Sequence, residues 1–77
     1  MNQWSPVEVV WLDAHGGDNG WEAAEDLPHE PFKVITVGIL YKQDETGITV
    51  VSSRVEDSIG GYTFVPTINI VSVRALK

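Results

Sequence analysis

Several small groups of side chains stand close enough in the chain to do chemistry together. Asp13, His15 and Asp18 crowd a glycine-rich stretch, HGGDNG, at residues 15–20. Two carboxylates and an imidazole could ligate a divalent cation or exchange a proton. Their spacing is not that of an EF-hand, which needs a longer run of oxygen ligands closed by Glu. The simpler reading is a polar turn in which Asp13 and Asp18 bond nearby backbone amides. The sequence holds no Cys nucleophile, P-loop, GxSxG or HExxH, and its two histidines are not spaced as a helical metal pair. Neither a catalytic site nor a metal site is expected, and no cofactor is implied.

The remaining groups suit binding. Asp18, Glu22, Glu25 and Asp26 concentrate negative charge after the glycines. If residues 21–27 are helical, Glu22 and Glu25 are neighbours on one face. That face is either solvated or a docking surface for a basic protein. Trp21 follows Gly20 in a loop and is the best candidate for stacking on a base or anchoring an interface. Trp11, in step with Val7 and Val9, reads as core, and Trp4 as a tail contact. Arg54, Tyr62 and Thr63 flank one hairpin and could meet a nucleotide or phosphate. Together with Trp21 they form the candidate ligand set. The alternative is an ordinary exposed strand face, with Arg54 paired to Glu56 or Asp57.

Five strands must position these groups. Pro6 opens VEVVWLDA, a strand over 7–14. A long loop follows over 15–32, with a helical turn expected at WEAAEDL, 21–27, capped by Asn19 and stopped by Pro28 and Pro31. KVITVGILYK gives a strand over 33–42, with Gly38 marking a bulge or bend. QDETG is a hairpin connection, and ITVVSSRV a strand over 48–55. EDSIGG turns the chain into a short strand at 62–66. A single turn at TIN, 67–69, precedes a last strand at 70–76. Ile35, Val37, Ile39 and Tyr41 share one face, and Val71, Val73 and Ala75 oppose Ser72 and Arg74.

Seventy-seven residues make a single domain with a thin core. With no Cys, disulfides are excluded, and oligomerisation becomes the expected supplement to stability. The net charge of −6 is uneven. Residues 1–30 hold Glu8, Asp13, Asp18, Glu22, Glu25, Asp26 and Glu30 with no Lys or Arg. Residues 31–77 hold five basic residues against four acids, or +1. Such a surface disfavours general nucleic-acid binding and attracts basic partners. The start, MNQWSPVE, lacks the basic region and apolar core of a leader, and no run reaches the roughly 18 apolar residues of a membrane span. A soluble intracellular protein is expected.

The order of elements resembles a mainly β, five-stranded SH3-like (Sm-like) small barrel. VEVVWLDAHGGDNGWEAAEDLP, VGILYKQDETGITVVSSR and FVPTINIVSVRAL together resemble small proteins of tailed bacteriophages, some of which inhibit host defence by sequestering nucleotide signals. Gly38 to Leu76 is similar to an Sm-like core. Sm-like proteins form rings by pairing the fourth strand of one subunit with the fifth of the next, and bind RNA or nucleotides near their loops. The chain departs from them in lacking an N-terminal helix and in its acidic loop. It also lacks the paired Trp of SH3 domains that bind Pro-rich peptides. The resemblance implies a non-enzymatic bacteriophage binding protein in the cytoplasm of an infected host. It would be a homo-oligomer formed by edge-strand pairing, taking a small nucleotide-like ligand or a host factor. An acidic interaction module, an accessory virion protein, and an RNA-binding ring using Lys33, Lys42, Arg54 and Arg74 are the alternatives.

Overall fold

A computed structural model describes residues 1–14 and 20–76. His15, Asp18 and Asn19, and with them most of the polar turn and the helix cap read from the sequence, lie outside the described residues. The chain forms five antiparallel strands: β1 (Pro6–Asp13), β2 (Phe32–Gln43), β3 (Gly47–Val55), β4 (Ser58–Pro66) and β5 (Ile70–Ala75). They make one sheet in the order β4-β3-β2-β1-β5. Its outer strands, β4 and β5, are not paired with each other, so the sheet is open.

β1 is the central ladder for half of this sheet. It pairs with β2 from Pro6–Ile39 to Asp13–Phe32, and with β5 from Val7–Ala75 to Trp11–Ile70. A register shift between Val10 and Trp11 bends the β5 side. β2 divides its partners: its first part pairs with β1, and its last residues pair with β3 from Ile39–Val51 to Gln43–Ile48. The expected irregularity at Gly38 has a different form. The register shift falls between Leu40 and Lys42, while Gly38 is where β3 crosses closest. A Cβ at Gly38 would lie 2.6 Å from both Val50 Cγ1 and the Val51 carbonyl oxygen.

The core lies on one face. Val7, Val9, Leu40, Ile48, Val50 and Val65 are buried together, with Trp11, Ile70 and Val73 packed against them. Val51 is also buried, on the opposite face, between Ile39 and Tyr62 in register. No polar side chain is buried among the described residues. The alternation in β2 is real, but the core takes the other set. Val34, Thr36, Gly38 and Leu40 face inward, whereas Ile35 and Val37 are 62% and 60% exposed.

Two connections differ from expectation. β4 begins at Ser58, not at Tyr62, so the β3–β4 hairpin closes through Glu56 and Asp57 and runs nine residues on each side. Glu56 takes the left-handed conformation, φ 51°, that shortens this turn. The helical turn of the long loop shrinks to a 3₁₀ turn at Ala24–Asp26. A second 3₁₀ turn, Thr67–Asn69, joins β4 to β5. Its Thr67 N–H and Oγ1 donate to the Thr46 and Glu45 carbonyls, and Asn69 Nδ2 donates to the Leu12 carbonyl at 2.7 Å. The turn thus ties the β2–β3 connection to the end of β1.

That β2–β3 connection is closed by Asp44. Its Oδ1 accepts from the Thr46 hydroxyl and the Thr46 N–H, while its own N–H donates to the Gly47 carbonyl at 3.0 Å. The Thr46 hydroxyl foremost, then the Thr46 amide, hold the carboxyl below its ordinary value of 3.8, with Lys42 nearby adding to the effect.

Two outcomes are expected. Gly38→Ala forces β2 and β3 apart and lowers stability by about 1–3 kcal/mol in urea titration. Gly60→Ala, whose new carbon meets Ser53 Cβ at 3.4 Å, costs less; equal midpoints for the pair would contradict the close approach at Gly38. Because Asp44 is lowered in the folded state, its contribution is complete above pH 3.8 and is lost as pH falls through the lower folded value. Asp44→Asn is therefore expected to flatten the pH dependence of stability below pH 4 while leaving neutral-pH folding intact, which a series of denaturation curves from pH 2 to 6 reads directly.

Candidate functional site

The candidate ligand residues do not gather at one place. Arg54 is in register with Ile59, Tyr62 with Val51, and Thr63 with Val50. Tyr62 and Thr63, adjacent on a strand, point to opposite faces. Thr63 shares the core-side face with Arg54 but stands four positions along the ladder, roughly 13 Å at strand spacing. Trp21 is fully exposed in the β1–β2 loop, and Tyr62 is 71% exposed on β4. Glu22, Glu25 and Asp26 are exposed as well, the last two on the 3₁₀ turn. A shallow open cleft at the base of the loop is lined by Ala14, Pro28, His29, Glu30 and Pro31.

What surrounds Arg54 instead is aromatic. Its guanidinium carbon sits 3.8 Å from the centre of the Trp4 ring, and Trp4 leans on Tyr41 with ring centres 5.7 Å apart at 51°. Arg54 Nε donates to the Glu56 carbonyl at 2.8 Å, which fixes the guanidinium against the ring. The alternative reading, an exposed strand face with Arg54 paired to Glu56 or Asp57, meets a contact of another kind, with the Glu56 main chain. Trp4 is held from below. Its N–H donates to the Leu40 carbonyl, and the Leu40 N–H donates to the Ser5 carbonyl at 2.8 Å. These bonds carry the β1 edge past Pro6 and hold Trp4 at φ 68°, a conformation bulky residues rarely adopt.

Trp4, read from the sequence as a tail contact, and Tyr41, read as part of a strand face, are the residues missing from the candidate ligand set. Their separation along the chain hides their contact, and only the Ser5–Leu40 pairing brings them together. The one available signal was that Tyr41 and Pro6 lie at opposite ends of segments that must pair if β1 and β2 are neighbours.

The basic residues divide unequally between the two faces of the sheet. Arg74 meets Glu8 at 3.2 Å and Lys42 meets Asp44 at 3.7 Å. Registers place Lys33 and Arg74 on the outer face with Glu8 and Leu12, and Arg54 on the core-side face with Val50. Arg54 forms no ion pair among the described residues. Lys42, in register with Thr49, shares that outer face, so Arg54 alone of the four stands on the other side of the sheet.

The exposed apolar side chains are numerous. Ile35, Val37, Leu12 and half-buried Val10 run across the outer face of β1 and β2, and Val55, Tyr62 and Phe64 continue it on β3 and β4. An antiparallel sheet with one solvated face ordinarily turns polar residues to that side. Comparison of the chain with protein-family models, with curated proteins and with solved structures finds no match in any of the three.

A double-mutant cycle between Trp4→Leu and Arg54→Met checks the ring–cation contact. The expected coupling is about 0.5–1 kcal/mol, the size of an exposed cation–π pair. Strict additivity would mean that the contact contributes nothing.

Proposed function

We propose that this chain is a non-enzymatic binding protein that works as a homo-oligomer joined through its sheet edges. The observation that carries this reading is β4. It is an outer strand of nine residues, SIGGYTFVP, with no charged side chain and with Tyr62 and Phe64 exposed. Proteins that stay monomeric blunt such an edge with Lys, Pro or inward charges. Here Pro66 stands only at the strand's end. β5, the opposite edge, is the natural acceptor, because pairing unlike edges repeats from copy to copy.

The fold reading that accompanies this is an SH3-like (Sm-like) small barrel. The strand order, the long first loop, the close approach of β3 at Gly38 and the 3₁₀ turn before β5 support it. The bacteriophage setting, a host-defence role and the infected bacterial cytoplasm rest on resemblance alone. As for the ligand, the scatter of Trp21, Arg54, Tyr62 and Thr63 over separate surfaces favours a protein partner over a nucleotide-sized molecule. A second reading has the acidic segment around Glu22, Glu25 and Asp26 recruit a basic host protein. The exposure of all three carboxylates favours it.

Native mass spectrometry and sedimentation velocity test the first reading. A discrete oligomer is expected, with Tyr62→Lys shifting it to monomer at unchanged circular dichroism. A wild-type chain that stays monomeric up to about 100 μM, a concentration well above a micromolar Kd, would exclude it.

A further inference from the structure

We infer that the Arg54–Trp4–Tyr41 cluster is a docking site for the Trp21-bearing loop segment of a second copy of this chain. The inference rests on the oligomeric reading above and names the contact that would seal each junction.

The sheet order sets the geometry. The β3–β4 hairpin, which carries Arg54, lies at one edge, and β1, which feeds the loop, lies beside β5 at the other. Within one copy three strands separate β4 from β5. If β4 of one copy adds to β5 of the next in the same direction, so that Ser58 and Ile70 begin their strands side by side, the hairpin of the first comes to the loop side of the second.

The chemistry of the two surfaces is complementary. On the hairpin side stands a guanidinium that forms no ion pair among the described residues, oriented by the Glu56 carbonyl and backed by an indole. Arg, Trp and Tyr are the residue types that anchor interfaces most often, because they combine large area with directional polar atoms. On the loop side stands a fully exposed Trp21, followed by Glu22, Glu25 and Asp26, with no Lys or Arg between residues 20 and 30. A carboxylate on the free face of Arg54 gains a charge-assisted hydrogen bond, and Trp21 gains an aromatic surface.

The exposed surface is large enough for such an occupant. The accessible surface is 5953 Å². A compact chain of this size exposes about 4,700 Å², so the excess is roughly 1,300 Å². A standard interface covers about 800 Å² on each partner. A radius of gyration of 15.5 Å, against about 11.5 Å for a compact chain of this length, tells the same story.

The test is charge exchange within one chain, read by sedimentation equilibrium. Arg54→Glu alone, and Glu22→Arg, Glu25→Arg and Asp26→Arg together, should each weaken assembly about tenfold, since each sets like charges face to face. Arg54→Lys, which keeps the charge, should weaken it less. The chain carrying both exchanges should recover the wild-type assembly, because its loop and hairpin are again opposite in sign. The loop changes lie outside the sheet, so loss of folding does not confound them. Assembly of both charge variants at wild-type strength, or failure of the combined chain to recover, overturns this inference and leaves edge pairing standing. A monomeric wild-type chain removes edge pairing itself, and the inference falls with it.

Discussion

The close approach of β3 to Gly38 is the constraint on which the rest depends. β2 serves two partners in succession, and the exchange happens where Ile39 is in register with both Pro6 and Val51. For β3 to join there, its backbone at Val51 must come against β2 with no side chain between. Glycine meets that need. Once β3 is seated, Val50 reaches Val7, Val9 and Leu40, and the core closes. The shift at Leu40 and Lys42 then turns the end of β2 toward its hairpin.

The core so built is small and made mainly of valine, with no polar side chain buried among the described residues. Chains of this length hide only about 60% of what they expose when unfolded. Local devices supplement it. The Asp44 turn closes the β2–β3 connection locally, while the Thr67 bridge to that connection and the Asn69 bond to Leu12 join segments distant in sequence. The N-terminal residues add a further strap through Leu40, and Trp4 sits on it in an uncommon conformation under a guanidinium. Unusual backbone of this kind persists where surrounding contacts over-determine it.

Much of the scaffold was legible in the sequence because strands announce themselves locally. Val and Ile runs bounded by Gly, Pro and Asp placed all five elements. The single turn before the last strand followed from Pro66 and a segment too short for anything else. What was not legible depended on contacts across the fold. Alternation in β2 shows that Ile35, Val37 and Tyr41 share a side, but apolar residues occupy both sides, so the pattern does not say which one packs. The start of β4 was hidden by the Gly60–Gly61 pair, which reads as a turn although the chain turns earlier, at Glu56. For the candidate site, composition singled out Arg54 and Trp21 by type. The neighbours of Arg54 are set by the Ser5–Leu40 strap, which no local pattern encodes.

The tryptophans bear on how the molecule reports on itself. Trp11 is half-buried and donates its indole N–H to Thr36 Oγ1 at 2.9 Å. Trp4 is overlaid by a cation, and Trp21 stands in water beside carboxylates. The three therefore emit from distinct surroundings: a hydrogen-bonded apolar one, a positively charged one and an aqueous negative one. In a single copy neutral acrylamide reaches Trp21 freely, while iodide is turned away by the acids around it. The ratio of the two quenchers is a built-in optical gauge of the loop's electrostatic environment, readable without attaching any dye.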